Sequence, residues 1–286
     1  MYHYLNGKIV KEENMNISAF DHGYLYGLGV FETFRVYNNH PFLFDDHFER
    51  LENSLAELCI SWNETRQSIR KSLSDLLQAN ELTDAYIRLN VSAGVGAVGL
   101  QVEPYKDPTV IMYVKPLSSK TVFHPKKGLF LNTKRNTPEG ISRLKSHHYL
   151  NNIIGKREIG EDPLKEGVFL TESGYIAEGI VSNLFWVKEG VVYTPSLETG
   201  ILNGITRQFI LRLLQANNIP YEIGFYKREQ LLSCDEAFMT NSIQEIVPFA
   251  QIGTKQLPVK EGCLTNKLIT LYNQHREKLW TRKQLT

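Results

Sequence analysis

A single lysine, Lys145, stands in the stretch "GISRLKSHHYLNN" (residues 140–152), among a leucine, a serine, two histidines and a tyrosine. A solvated cation at a helix start is one reading, and it is the common state of a lone lysine. A reactive amine is the other. Apolar and aromatic neighbours, with Arg143 two residues away, favour the neutral form of an amine, which attacks a carbonyl to make a Schiff base. A lysine at a helix N-terminus also opposes the helix dipole. His147 and His148 raise a metal reading. Adjacent helical residues point about a quarter-turn apart, so they do not converge on one ion as an i, i+4 pair does. We expect no metal site and assign the pair to packing or hydrogen bonding.

Three other places carry polar groups in apolar surroundings. In "AEGIVSN", Glu178 follows Tyr175 and Ile176, and Ser182 and Asn183 come next. A strand edge and a turn would explain this pattern. So would a half-buried carboxylate in need of a cationic partner, such as a protonated ring nitrogen. In "GILNGITRQF", glycines precede a helix start bearing Ile205 and Thr206. Backbone N–H groups there can cradle one phosphate, although many helices begin Gly-x-Thr. "MTNSIQE" supplies a second polar turn with Asn241 and Ser242. Arg50 in "HFERL" is either a surface arginine on an amphipathic helix or a bidentate phosphate contact. The glycine-rich "SAGVGAVGLQ" has neither a Gly-Lys-Ser/Thr ending nor a following helix, so it is no nucleotide fingerprint. It reads as a mobile loop.

These residues need a frame to position them. The chain has 286 residues, 42% hydrophobic and 22% charged, with a net charge of +1. That composition is globular, and the length suits two domains or one large one. The balanced charge provides no field for nucleic acid or an anionic membrane. Cys59, Cys234 and Cys263 form no CxxC pair, which argues for reduced thiols and against a disulfide or zinc framework. No apolar run approaches about 18 residues, so we expect a cytoplasmic protein.

Hairpins are expected at Asn6-Gly7 in "YHYLNGKIV" and at Asn38-Asn39 in "GVFETFRVYNNHPFLF". Phe48, Leu51, Leu55 and Leu58 recur at helical spacing, with Asp45 or Asp46 to cap. A second helix spans "TRQSIRKSLSDLLQAN", and "AYIRLNVSAG" and "TVIMYVKPL" are strands. "PLSSK" (116–120) is a polar break. We expect a small α/β domain over 1–116 and a larger β-rich domain with peripheral helices over 121–286. In the second, "GLFLNTKRN" starts as a strand, and a helix runs from about Ser146 to Glu158. Four strands follow in "GVFLTE", "YIAEG", "NLFWVKEG" and "VVYTPS". "GITRQFILRLLQANN" is a helix, "CDEAFMTNS" a strand, and "NKLITLYNQHREKLW" an amphipathic helix.

The order of the motifs "HFERL", "RLKSHHYLNN", "AEGIVSN", "GITR" and "TNS" resembles the fold-type IV pyridoxal-phosphate enzymes. These include branched-chain aminotransferases, D-amino acid aminotransferases and aminodeoxychorismate lyases. The resemblance runs from "YLNGKIV" to the C-terminal helix. It implies an α+β fold, with a small α/β N-terminal domain and a larger barrel-like C-terminal domain carrying the lysine. It also implies bound pyridoxal 5'-phosphate, a small-molecule substrate and a homodimer. Lys145 would be the Schiff-base lysine and Glu178 the partner of the pyridine nitrogen. Arg50, Ile205, Thr206 and Ser242 would hold the phosphate, and Asn183 closes the E-x-x-x-S-N signature.

"FDHGYLYGLGVFETFRV" and "RNTPEGISRLKSHHYLNNIIGKREIG" look most like the aminodeoxychorismate lyases of Gram-positive bacteria. The reaction then implied converts 4-amino-4-deoxychorismate to pyruvate and 4-aminobenzoate, for folate biosynthesis. An aminotransferase for D-amino acids or branched-chain amino acids is the alternative. Ala93 stands where D-amino acid aminotransferases carry an arginine, and "KSHHY" replaces the "KAGGNY" of branched-chain enzymes. Arg88 resembles an arginine of the branched-chain group. It is a candidate for a substrate carboxylate, or a plain strand-surface arginine. Phe31, Thr33, Tyr149 and Asn241 are further substrate-wall candidates by their place in matching motifs.

Overall fold

The computed structural model describes residues 1–260 and 262–285. The chain divides into two compact units. The first comprises Met1–Thr121, Leu144–His148 and Arg276–Thr281; the second holds Val122–Arg143, Tyr149–His275 and Arg282–Thr286.

The first unit opens with β1 (Tyr2–Leu5) and β2 (Lys8–Lys11), then α1 (His22–Tyr26), β3 (Gly29–Tyr37) and β4 (His40–Pro41). Then come α2 (Phe44–Glu57), α3 (Arg66–Ala79), β5 (Ala85–Ser92) and β6 (Thr109–Pro116). Both expected hairpins form. Asn6 and Gly7 take φ of 44° and 87°, and Asn38 and Asn39 take 47° and 64°. Positive φ at both central residues matches the right-handed twist of the flanking strands. The six strands run β2-β1-β6-β5-β3-β4, with antiparallel pairing throughout. Side chains alternate across the sheet. Val30, Phe34, Val36, Ile87, Leu89 and Val91 form one core with Phe48, Leu51 and Leu55 of α2 and with Ile69 and Leu73 of α3. Burying each such side chain contributes roughly 1.5–3 kcal/mol. The opposite face carries Phe31, Thr33, Arg88 and Asn90, since Phe31 lies across from Asn90 and Thr33 from Arg88. Leu43, at φ 53°, precedes α2, so Asp45 and Asp46 fall in its first turn rather than at its cap.

The second unit contains β7 (Lys126–Phe130), α4 (Leu150–Ile159), β8 (Lys165–Leu170), β9 (Ile176–Gly179), β10 (Asn183–Lys188) and β11 (Val191–Pro195). It continues with α5 (Ile205–Ala216), β12 (Tyr221–Gly224), α6 (Arg228–Leu232), β13 (Glu236–Asn241), β14 (Glu245–Ile252), β15 (Lys255–Gln256) and α7 (Leu264–His275). Its nine-stranded sheet runs β12-β11-β10-β13-β14-β7-β8-β9, with β15 beside β14. The sheet curls: β9, last in this order, approaches β10 and β11 near the other end. Helices α5 and α7 pack together and against β13. The α+β class and the barrel-like second sheet agree with the sequence reading.

Three expectations change. The helix expected from about Ser146 begins at Leu150, and Lys145 sits on an extended edge segment. The Phe31 N–H donates to the Lys145 carbonyl (2.9 Å), the His147 N–H donates to the Gly29 carbonyl (3.0 Å), and Ser146 bridges Val30. These bonds to β3 group the lysine segment with the first unit, not with the 121–286 region where the sequence reading put it. The C-terminal helix also ends early, at His275. Arg276–Thr281 leaves it for the first unit, where Leu43 and Asp45 donate N–H bonds to Leu279 and Trp280.

Candidate active site

In the first unit, pairing on the β3 edge gives Lys145 the same face as Phe31. Its Nζ lies 4.5 Å from the Phe31 ring centroid. Arg88 lies 3.7 Å from the same centroid and donates from Nε to Asn90 Oδ1 at 3.0 Å. Phe31 is 2% exposed, so one buried ring orients both cations by cation–π attraction. The His147 ring stacks beside Phe31 at 6.3 Å. Burial first, then Arg88, pushes the His147 imidazole down to about 4. His147 is therefore neutral at pH 7 and adds no charge near Lys145. Gly29 makes room for it, because a Cβ there would lie 2.5 Å from the imidazole. His148 turns the other way, its Nε2 3.3 Å from the Tyr26 carbonyl. The two histidines do not converge. Among the described residues no group of three or more His, Cys, Asp or Glu side chains is placed to hold a metal ion.

Arg50 lies on the helix-bearing face of this unit. Its Nε and one terminal nitrogen each donate to a Glu32 oxygen at 2.7 Å, and His47 Nδ1 meets Glu32 at 2.6 Å. Burial by itself would raise the Glu32 carboxyl. The Arg50 guanidinium, then His47, overcome this and hold it down at about 2. Sequence reasoning named Arg50 but missed Glu32, whose signal is a carboxylate within the otherwise buried pattern of β3.

The glycine-rich loop, read as mobile, is tied down. His22 Nε2 meets the Ala97 carbonyl at 2.9 Å and Nδ1 meets Tyr105 Oη at 3.0 Å. The Gly99 N–H donates to Tyr26 Oη at 2.7 Å. Because a carbonyl only accepts, the Ala97 contact requires Nε2 to carry the proton.

In the second unit, Glu178 is 4% exposed. Arg135 Nε donates to it at 2.8 Å and Arg143 Nε lies 3.8 Å away. The Leu202 N–H donates to its other oxygen at 3.0 Å, and Asn183 Nδ2 reaches the same oxygen at 3.4 Å. Asn183 Nδ2 also donates to the Leu202 carbonyl at 2.9 Å. Arg135 is the main partner that sequence reasoning missed; the hint was only that a half-buried carboxylate needs a cation.

Helix α5 starts at the Gly204 cap without a side-chain capping bond. A Cβ on Gly204 would collide with Asn183 Oδ1, so glycine lets the helix begin against the Glu178 cluster. In its first turn Thr206 Oγ1 lies 3.3 Å from Ser242 Oγ. Asn241 holds the turn that carries Ser242: its Oδ1 accepts from Ile243 N at 3.0 Å and Gln244 N at 2.7 Å. That oxygen forms the turn. Tyr149 directly precedes α4.

This unit therefore holds a buried carboxylate and, joined to it through Asn183, a helix N-terminus with two hydroxyls. The donor set fits a compound with a cationic ring nitrogen at one end and a phosphate at the other.

The family model "Amino-transferase class IV" matches residues 29–252. The chain belongs to the class IV aminotransferase family. It is 48% identical to the aminodeoxychorismate lyase of Bacillus subtilis (strain 168), over 95% of this chain and 93% of that protein. Among solved structures it resembles the branched-chain aminotransferase of Thermoproteus uzoniensis with norvaline, at a TM-score of 0.87 and 28% identity, covering 98% and 97% of the two chains. It also resembles the T.th. branched-chain aminotransferase complexed with N-(5'-phosphopyridoxyl)-L-glutamate, at a TM-score of 0.85 and 26% identity, covering 96% and 94%. No described helix is long and apolar enough to cross a membrane.

Proposed function

We propose that this chain is a 4-amino-4-deoxychorismate lyase that uses pyridoxal 5'-phosphate and releases pyruvate and 4-aminobenzoate. The 48% identity to the Bacillus subtilis lyase, over nearly the whole chain, carries this reading. Bound pyridoxal phosphate supplies an aldehyde for an amino group and a ring that takes up the electrons of the breaking bond.

Lys145 would hold the cofactor's aldehyde carbon, and its amine would be the base for the proton at C4 of the substrate. Phe31, beneath its amine, limits where that amine can swing. Glu178 keeps a proton on the ring nitrogen, and Arg135 and the Leu202 N–H fix the direction of its carboxylate. Ile205, Thr206 and Ser242 take the phosphate at the uncapped start of α5, and Asn183 ties that start to Glu178. Arg50, oriented by Glu32, adds a guanidinium for the phosphate. Arg88 is assigned to a substrate carboxylate because it shares Phe31 with Lys145, and Thr33 lies opposite it in the sheet. Tyr149 and Asn241 complete the substrate-side assignment. The carbon–oxygen bond to the enolpyruvyl group breaks, that group takes up the proton removed from C4 and leaves as pyruvate, and the ring left behind is aromatic, which drives the reaction forward.

The two solved neighbours described above, both branched-chain aminotransferases, favour a second reading as a transaminase of branched-chain amino acids. That activity needs a keto acid as second substrate; the lyase does not.

We further propose a cytoplasmic homodimer. Phe20, Tyr24, Val95, Val98, Leu100 and Val102 are exposed, and the Asp21–Val95 bridge brings their two segments together. Apolar exposure on that scale marks an interaction surface.

The test is Lys145→Ala. It should abolish both the visible absorbance of lysine-bound cofactor and the release of 4-aminobenzoate. Full activity in this variant would overturn the assignment.

A further inference from the structure

Two buried charges lie outside the groups assigned above. Lys126 on β7 and Glu166 on β8 are 7% and 4% exposed, with Nζ and Oε2 3.6 Å apart. A buried ion pair is costly to desolvate and is no stability device in itself. What these two residues touch explains their presence better. Glu166 Oε1 accepts from the Ile180 N–H at 2.8 Å and from Ser182 Oγ at 3.1 Å. Ile180 and Ser182 form the turn that separates Glu178 from Asn183. Gly179 belongs to the same device: a Cβ there would strike Ser182 Oγ and approach Glu166 Oε1.

On its other side, Lys126 Nζ donates to Gln244 Oε1 at 3.4 Å. Asn241 Nδ2 donates to the same oxygen, also at 3.4 Å. Gln244 closes the turn that carries Ser242. One continuous polar chain, Ile180/Ser182–Glu166–Lys126–Gln244–Asn241, buried at Glu166 and Lys126 and half-buried at Gln244 and Asn241, therefore joins the Glu178 turn to the Ser242 turn. Buried polar networks whose members are satisfied fix geometry, and a binding constellation is only as accurate as the residues that support it.

We propose that Lys126, Glu166 and Gln244 are positioning residues that brace the two ends of the cofactor site, holding the carboxylate of Glu178 and the hydroxyl of Ser242 at the separation that one ligand requires. The inference rests on the cofactor reading above. None of the three touches the reacting atoms.

The test measures cofactor affinity by absorbance titration of the full chain, with pyridoxal 5'-phosphate and with pyridoxal, which lacks the phosphate. Gln244→Ala leaves the ion pair and the backbone bonds of the turn in place and removes only the side-chain link from Lys126 and Asn241. It should weaken pyridoxal phosphate binding about tenfold, the scale of one lost hydrogen bond to a charged group, and leave pyridoxal binding unchanged. Lys126→Met alone strands a buried carboxylate and should lower the melting temperature. The double variant Lys126→Met/Glu166→Gln removes both charges, should recover the melting temperature, and should keep the weakened phosphate-selective affinity. Wild-type affinity for pyridoxal phosphate in both Gln244→Ala and the double variant would overturn the brace. A wild-type chain that forms no visible band with pyridoxal phosphate would overturn the cofactor reading itself.

Discussion

Replacing Glu32 by Gln removes the carboxylate that Arg50 and His47 share. The Glu32 carboxyl is held at about 2 against an ordinary value of 4.5. The difference corresponds to about 3 kcal/mol of stability at pH 7, at about 1.4 kcal/mol per unit. The sign follows from proton binding. Between pH 2 and 4.5 the unfolded chain holds more protons at this site, so the contribution is complete above about 4.5 and fades as pH falls toward 2. His47, pushed down by burial despite Glu32, adds the same sign: as pH falls the unfolded chain takes up this proton more readily than the fold does. Urea denaturation of wild type and Glu32→Gln at pH 7 should show a gap of about 3 kcal/mol, which narrows to about 2 kcal/mol near pH 3.5. Cofactor affinity should fall in the same variant, because Arg50 loses the group that orients it. A variant as stable as wild type at pH 7, or a gap that does not change with pH, would refute the argument.

Three other outcomes follow from the geometry. Gly29→Ala places a Cβ 2.5 Å from His147 and 2.8 Å from the Val91 carbonyl; it should cost about 1–3 kcal/mol in thermal or urea unfolding and lower kcat by displacing the Lys145 segment. Arg135→Met removes the main cation from buried Glu178; it should cost about 3–5 kcal/mol and shift the absorbance spectrum of bound cofactor, read by melting curve and spectrophotometry. Arg88→Ala should raise KM about tenfold or more, for the loss of a charge-assisted contact, while the absorbance of bound cofactor stays.

What the sequence revealed was local or patterned. Asn6-Gly7 and Asn38-Asn39 specify their turns because positive φ is a property of those residues themselves. Helices α2, α3 and α5 were legible from apolar spacing. Strand β14 was not anticipated: Pro248 interrupts its pattern, and proline argues against a strand unless its missing N–H faces no partner. The setting of Lys145 was hidden for a different reason. The bonds that make "LKSHH" an extended edge go to Gly29 and Phe31, far back in the chain, and nothing within the stretch forecasts them. The motif order singled out Lys145, Glu178 and Thr206 through a resemblance. Their supports, Arg135, Lys126 and Glu166, come from distant segments and carry no local signature.

Lyase chemistry proceeds without an amino acceptor, which separates it from transamination. Purified chain loaded with pyridoxal phosphate is given 4-amino-4-deoxychorismate with no keto acid, beside a D-alanine transamination control. Pyruvate and 4-aminobenzoate should form in equal amounts through many turnovers, with little turnover of D-alanine. Product that stops after one equivalent, or that appears only with added keto acid, would contradict it.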